Sequence, residues 1–189
     1  MSIALLCAAL SLPASAALES GAHAPDFSAR ASLAGQEFTF SLGEALGKGP
    51  VVVYFYPSAY TQGCNIEAHE FSVNAEKFAA AGATIIGVSH DSVARLNEFS
   101  KDPEYCAGKF PVASDPDGAI AKSFDLKVFD AKPGMKDTRG VDIDHAFTER
   151  TTFVIAPDGK IVATLSSADD KISPRDHVTK SLEALAAMK

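Results

Sequence analysis

The chain has 189 residues, 47% hydrophobic and 22% charged, which is enough apolar material for one compact domain and too much for a chain disordered throughout. Seventeen Lys and Arg against 24 Asp and Glu leave a net charge of −7, which argues against binding to nucleic acid phosphates or anionic membrane surfaces. Three cysteines cannot frame a disulfide-rich module, and no uncharged, wholly apolar run of about 18 residues indicates a membrane-spanning helix.

Residues 1–16 read as a signal peptide. Met1 to Ala17 carry no charge, Ile3 to Leu12 form an apolar stretch, and Pro13-Ala-Ser-Ala16 supplies an A-x-A cleavage site. Cleavage after Ala16 removes Cys7, leaves Cys64 and Cys106, and places the protein outside the cytoplasm, periplasmic or secreted. No Lys or Arg opens the segment, so an uncleaved apolar arm on a cytoplasmic protein is the alternative.

Residues 21–189 read as a single domain. Ser20 to Pro25 is a polar linker, and Glu37 to Ser41 alternates apolar and polar residues as an edge strand does. Val51 to Tyr56 is a continuous β-branched and aromatic run of the kind buried on both faces of a sheet, ended by Pro57. From Cys64 to Ala81, Phe71, Ala75, Phe78 and Ala79 recur at helical spacing, with Gly82 as the stop. Thr84 to Ser89 repeats the buried-strand pattern, and Asp91-Ser92 caps a helix carrying Val93, Leu96 and Phe99. A short strand at Phe110 to Ala113, a turn at Asp115 to Gly118 and a short helix at Ile120 to Phe124 follow. Asp130 to Phe147 is polar and turn-rich and reads as an exposed excursion. Thr151 to Ile155 and Ile161 to Leu165 flank Pro157-Asp-Gly159 as an antiparallel hairpin. Ser173-Pro-Arg-Asp176 opens a last helix with Val178, Leu182 and Leu185 inward. Strands interleaved with helices and closed by a hairpin predict a three-layer α/β/α domain with a mixed central sheet.

The join between the second predicted strand and its helix carries the chemistry. Pro57-Ser-Ala-Tyr-Thr-Gln-Gly-Cys64 sets a cysteine at a helix N-terminus, where free N–H groups and the helix dipole favour the thiolate, the attacking form. The Thr61 hydroxyl, three residues earlier, is placed to donate to it. A cation from elsewhere in the chain would do more, and spacing alone does not choose it. Without context, a lone cysteine here is more often a small buried hydrophobe than a nucleophile. The five histidines show no H-x-x-x-H or H-E-x-x-H spacing, so no metal and no cofactor is expected, and most of them read as exposed, His69 included.

Pro57, Thr61 and Cys64 form a P-x-x-x-T-x-x-C loop that resembles the peroxidatic site of peroxiredoxins. Glu67-Ala68, Phe110-Pro111 with Ser114-Asp-Pro-Asp-Gly118, and Arg150-Thr-Thr-Phe-Val-Ile155 with Asp158-Gly159 fall in the same order as in the bacterioferritin-comigratory, or Q-type, branch. The resemblance runs from about Gly21 to Leu185. It implies a thioredoxin-like fold and reduction of hydrogen peroxide or organic hydroperoxides, with Cys64 as peroxidatic nucleophile and Arg150 as the cation. It further implies that Thr61 orients the O–O bond and that Pro57 packs over the sulfur. The partners implied are the peroxide and a thiol reductant, thioredoxin, glutaredoxin or another, with no nucleic acid and no membrane, on a monomer or weak dimer.

Several positions depart from that branch. His69 stands five residues after Cys64, where many members carry the resolving cysteine, so Cys106 is the remaining candidate. Contact between Cys64 and Cys106 would require the first turn at Cys64 to unwind, since a disulfide needs Cα atoms within ~7 Å. The alternative is a one-cysteine enzyme resolved by an external thiol. Gln62 replaces a common proline, and Ser58 a common lysine. A thioredoxin-type oxidoreductase needs C-x-x-C, and Cys64 is followed by Asn65-Ile-Glu67. A cysteine hydrolase using His69 or His145 lacks a local signature. A non-catalytic redox sensor or holdase with Cys64 as a switch stays open.

Overall fold

The computed structural model describes residues 17–188; the expected signal peptide and Cys7 lie outside them. In chain order the elements are β1 (Ser28–Leu33), β2 (Gln36–Ser41), α1 (Leu42–Leu46), β3 (Val51–Phe55), α2 (Gln62–Val73), α3 (Ala75–Ala80), β4 (Thr84–Ser89) and α4 (Val93–Lys101). They continue with β5 (Val112–Ser114), α5 (Ala119–Ser123), β6 (Val128–Phe129), β7 (Phe147–Thr148), β8 (Thr151–Ile155), β9 (Ile161–Ser166) and α6 (Pro174–Ala187).

Seven strands make one mixed sheet in the order β2-β1-β5-β4-β3-β8-β9, while β6 and β7 pair separately. β3 is central, parallel to β4 and antiparallel to β8. Its side chains alternate between two apolar layers: Val51, Val53 and Phe55 face the side covered by α1 and α5, and Val52 and Tyr54 face the side covered by α2, α3, α4 and α6. The expected three-layer, thioredoxin-like arrangement is present. Both Cys64 and Cys106 lie in the second layer. Gly87 of β4 sits opposite Tyr54, where a Cβ would fall 2.6 Å from the phenol, so a glycine is needed for that ring to lie flat across the sheet.

Three local expectations need correction. The helix from Cys64 to Ala81 is broken at Asn74, whose side-chain amide donates to the Glu70 carbonyl, and α3 starts afresh beyond it. Asp130 to Phe147 is not simply an exposed excursion: Asp137, Ile143 and Phe147 are buried, and the segment folds back over the loop before α2. Nor are most histidines exposed, because His90 and His177 are buried and His145 is half-buried, each held by hydroxyl or carboxylate partners. His69 is exposed as expected.

β1 and α1 were not anticipated. β1 is built largely of Ser and Ala, with Ala29 and Ala31 turned inward, and it joins β2 through Ala34-Gly35 with both φ values positive. At the far edge of the sheet, residues 18–24 run along β9: Gly21 N–H donates to the Ile161 carbonyl, Ile161 N–H to Ala22, and Ala24 N–H to Gly159. Ala17 and Leu18 pack on the first apolar layer. Among the described residues no helix is long and apolar enough to cross a membrane.

Candidate active site

β3 delivers the chain into the loop from Pro57 to Thr61, and α2 begins at Gln62, so Cys64 falls in the first turn of a helix, where backbone N–H groups have no intrahelical acceptor. The Cys64 side chain is buried at 1% exposure, and its sulfur accepts a hydrogen bond from Arg150 Nη2 at 3.2 Å. Arg150 stands between β7 and β8, four strands beyond α2 in sequence but beside it in the fold. Gly63 permits this approach: a Cβ there would lie 3.0 Å from Arg150 Nη2.

The other end of the guanidinium is fixed by Glu67, one helical turn beyond Cys64, whose Oε2 accepts from Arg150 Nη1. Burial works against the Arg150 charge, but Glu67 and Cys64 outweigh it and hold the guanidinium protonated. Burial is also the larger influence on Glu67, whose carboxyl is pushed up to about 7 despite Arg150. Glu67 Oε1 has no hydrogen-bond partner and lies 3.8 Å from His177 Nδ1. His177 is held through Thr152 Oγ1 and Ser167 Oγ, both at 2.9 Å, and burial followed by the nearby Arg150 drives its imidazole down to about 3, so it is neutral.

Thr61 is the residue before α2, but its hydroxyl donates to the Ser58 carbonyl at 2.8 Å rather than to Cys64, a correction to the expected thiolate bond. That leaves its oxygen lone pairs as acceptors at the site. Pro57 opens the loop, half-buried. Cys64 and Arg150 are therefore in direct contact, while Thr61 and Pro57 shape the loop between them. Cys106, in the turn after α4, is fully buried with a free thiol, and burial reinforced by Asp102 raises its ionisation well above the ordinary thiol range.

A second polar cluster grips the loop backbone and was not read as functional from sequence. Asp91 accepts from Ala59 N–H at 2.7 Å and Ser89 Oγ at 2.7 Å, and pairs with Arg95 at 2.8 Å and His145 at 3.0 Å. Burial opposes its charge, but bonds from His145, Ala59 and Ser89 prevail and hold the carboxyl below its usual range. Glu67 had a legible signal, an acid three residues after Cys64 on a helix face that must turn inward. His177 had none. Among the described residues no group of three or more His, Cys, Asp or Glu could hold a metal.

A thioredoxin-like sheet carrying a lone cysteine at the start of α2, with an arginine on its sulfur, defines a cysteine-dependent redox enzyme. Residues 20–164 match the AhpC/TSA family. The chain is 34% identical to peroxiredoxin Bcp of Xanthomonas campestris pv. campestris over 137 residues, 72% of this chain and 76% of that one. It is 32% identical to peroxiredoxin Bcp of Bacillus subtilis over 171 residues, 90% and 97% of the two chains. Among solved structures, peroxidoxin BcpB from Mycobacterium tuberculosis superposes with a TM-score of 0.74 at 31% identity, covering 91% of this chain and 99% of that one. The bacterioferritin comigratory protein of Xanthomonas campestris, studied for its alkyl peroxide reduction activity, gives 0.64 at 32% identity over 84% and 90%. The chain belongs to the AhpC/TSA family and is a peroxiredoxin of the Bcp, or Q, type, a peroxidase.

Proposed function

We propose that the protein reduces hydrogen peroxide and organic hydroperoxides through the Cys64 thiolate, in cellular redox homeostasis and antioxidant defence. The observation that carries this is the 3.2 Å contact between Arg150 Nη2 and the Cys64 sulfur in a site closed to bulk water. The thiolate attacks the terminal peroxide oxygen, the O–O bond breaks, and its electron pair leaves on the RO⁻ fragment, which takes up a proton to become water or alcohol. Sulfur is oxidised to the sulfenic acid as the peroxide is reduced. Arg150 is aimed where negative charge moves from sulfur to the leaving oxygen, so its hydrogen bond is worth most at the transition state. Thr61, whose O–H is already committed to Ser58, accepts from the peroxide O–H and so orients it. Pro57 limits access of solvent to the sulfur.

The Cys64 sulfenic acid then condenses with the Cys106 thiol, releasing water and forming a disulfide, which a thioredoxin- or glutaredoxin-type dithiol reduces. The protein works as a monomer or weak dimer. Cleavage after Ala16 delivers it outside the cytoplasm, a reading supported by Ala17 and Leu18 packing on the core immediately beyond that bond. Intact mass under non-reducing conditions, before and after one equivalent of hydrogen peroxide, tests the chemistry. The parent should lose two hydrogens and Cys106→Ala should gain one oxygen. Gain of one oxygen in both would establish a one-cysteine cycle, and no change in either would favour a sensor or holdase.

A further inference from the structure

Cys64 and Cys106 share one apolar layer with Tyr60 and Phe99, and Tyr105 packs against it. Tyr60, four residues before Cys64, packs edge-on against Phe99 at 5.0 Å and Tyr105 at 5.6 Å, and Tyr105 is the immediate neighbour of Cys106. Tyr60 holds a left-handed backbone with φ of 62°, a conformation that a bulky residue keeps only when its surroundings impose it.

Those surroundings come from the segment that folds back over the loop. Thr138 N–H and Thr138 Oγ1 both donate to the Tyr60 carbonyl, at 2.9 and 2.8 Å. The Arg139 guanidinium lies 3.2 Å from the centre of the Tyr60 ring, held there by two bonds to buried Asp137, at 3.1 Å from Nε and 2.9 Å from Nη2. Asp137 also binds Arg95, whose Nη2 donates to the Ala59 carbonyl at 2.9 Å. Residues 59 and 60 are thus gripped from both sides while the first turn of α2 is closed by the Asn65 N–H bond to the Thr61 carbonyl.

Opening that turn pulls on Tyr60 and its ring contacts with Phe99 and Tyr105, so each contact made by Thr138 and Arg139 stabilises the packed state against the one in which Cys64 reaches Cys106. We propose that Tyr60, latched by Thr138 and Arg139, is a positioning residue for the second half of the reaction: it divides the Cys64 sulfenic acid between condensation with Cys106 and attack on a second peroxide. The first route gives the disulfide and water; the second gives the sulfinic acid and water from hydrogen peroxide. This rests on the reading of Cys64 and Cys106 given under the proposed function.

The test is Arg139→Gln, a half-exposed position whose loss leaves Asp137 paired with Arg95. Parent and variant are pulsed with increasing hydrogen peroxide, quenched, and weighed intact without reductant, and the rate of the first step is followed by stopped flow. Loss of the cation over the ring should raise the ratio of disulfide to sulfinic acid about three- to tenfold, with the first step changed less than about twofold. Arg139→Lys should fall between the two, and Thr138→Val should move the ratio the same way. A ratio unchanged in every variant, or shifted toward sulfinic acid, overturns the latch while leaving the peroxidase reading intact. A parent that consumes peroxide without forming a Cys64–Cys106 disulfide overturns it at the resolving step, and a parent that consumes no peroxide overturns the underlying reading as well.

Discussion

Replacing Gly63 by alanine should slow the enzyme without unfolding it. The new Cβ would lie 3.0 Å from Arg150 Nη2, whereas carbon against a heavy atom settles at about 3.5–4.0 Å, so the guanidinium must retreat by roughly 0.5 Å. It cannot swing freely, because Nη1 is tied to Glu67, and the retreat is taken out of the 3.2 Å bond to sulfur. A charge-assisted hydrogen bond of this kind contributes about 1.5–3 kcal/mol, and losing roughly half of it slows peroxide attack about four- to thirteenfold. Gly63 lies within α2 with no positive φ, so alanine there should leave stability unchanged or raise it by up to ~1 kcal/mol. The assay pairs the second-order rate constant with hydrogen peroxide, by stopped-flow tyrosine fluorescence, with urea unfolding of the same samples. An undiminished rate constant would refute the claim that Arg150 works from this position. Loss of rate and stability together would show that the alanine disturbs the helix rather than the guanidinium.

Cys64→Ser should abolish peroxide reduction with the fold intact, as judged by turnover and circular dichroism. Arg150→Ala should leave slow residual turnover and slow the alkylation of Cys64 by iodoacetamide at neutral pH; it should also destabilise the protein at pH 8 by up to about 3–5 kcal/mol, because buried Glu67 loses its charge partner and must take up a proton to stay inside. The buried pair Glu67 and His177 pulls stability in opposite directions. Glu67 binds its proton up to about pH 7 folded but only to 4.5 unfolded, so its share of stability falls as pH rises through that window, by up to ~3 kcal/mol. His177 is neutral down to about pH 3 folded and takes a proton below 6.5 unfolded, so its share falls as pH drops from 6.5 to 3. Glu67→Gln should therefore make stability climb from pH 4.5 to 6.5, and His177→Gln should make it decline there; identical flat curves in urea titrations would contradict both assignments. Gly87→Ala should destabilise by about 1–3 kcal/mol in thermal melts, through collision with the Tyr54 ring.

The central strands, the closing hairpin and the final capped helix were legible because each carries its own local signal: β-branched runs at β3 and β4, turn chemistry at Asp158-Gly159, and Ser173 with Asp176 closing a capping box around α6. β1 was not, since Ser28-Ala-Arg-Ala-Ser has little strand propensity and is held in place by its partners on both sides. The Cys64 loop was legible as a short motif. What it docks against was not, because Asp91, the pair Asp137 and His145, and His177 come from three separate parts of the chain, and a buried polar residue looks like an exposed one until its partners are in place. The polarity of residues 130–147 misled for that reason: Asp137 is inside, and burial opposes its charge, but backbone N–H groups of Val141 and Arg139 and the Arg139 guanidinium outweigh it, with Arg95 paired alongside.

Residues 18–24, laid along the outer edge of β9, have a bearing on timing. Ser20 Oγ bonds the Val162 carbonyl and Thr164 Oγ1 bonds the Leu18 carbonyl, partners 142 and 146 positions apart in the chain. During synthesis the beginning of the domain therefore emerges long before the strand it belongs beside. Until the closing hairpin has been made, these residues lack the β9 edge that takes up their hydrogen bonds. The first segment of the domain is thus secured by its last strand, and the closing hairpin fastens both ends of the fold at once.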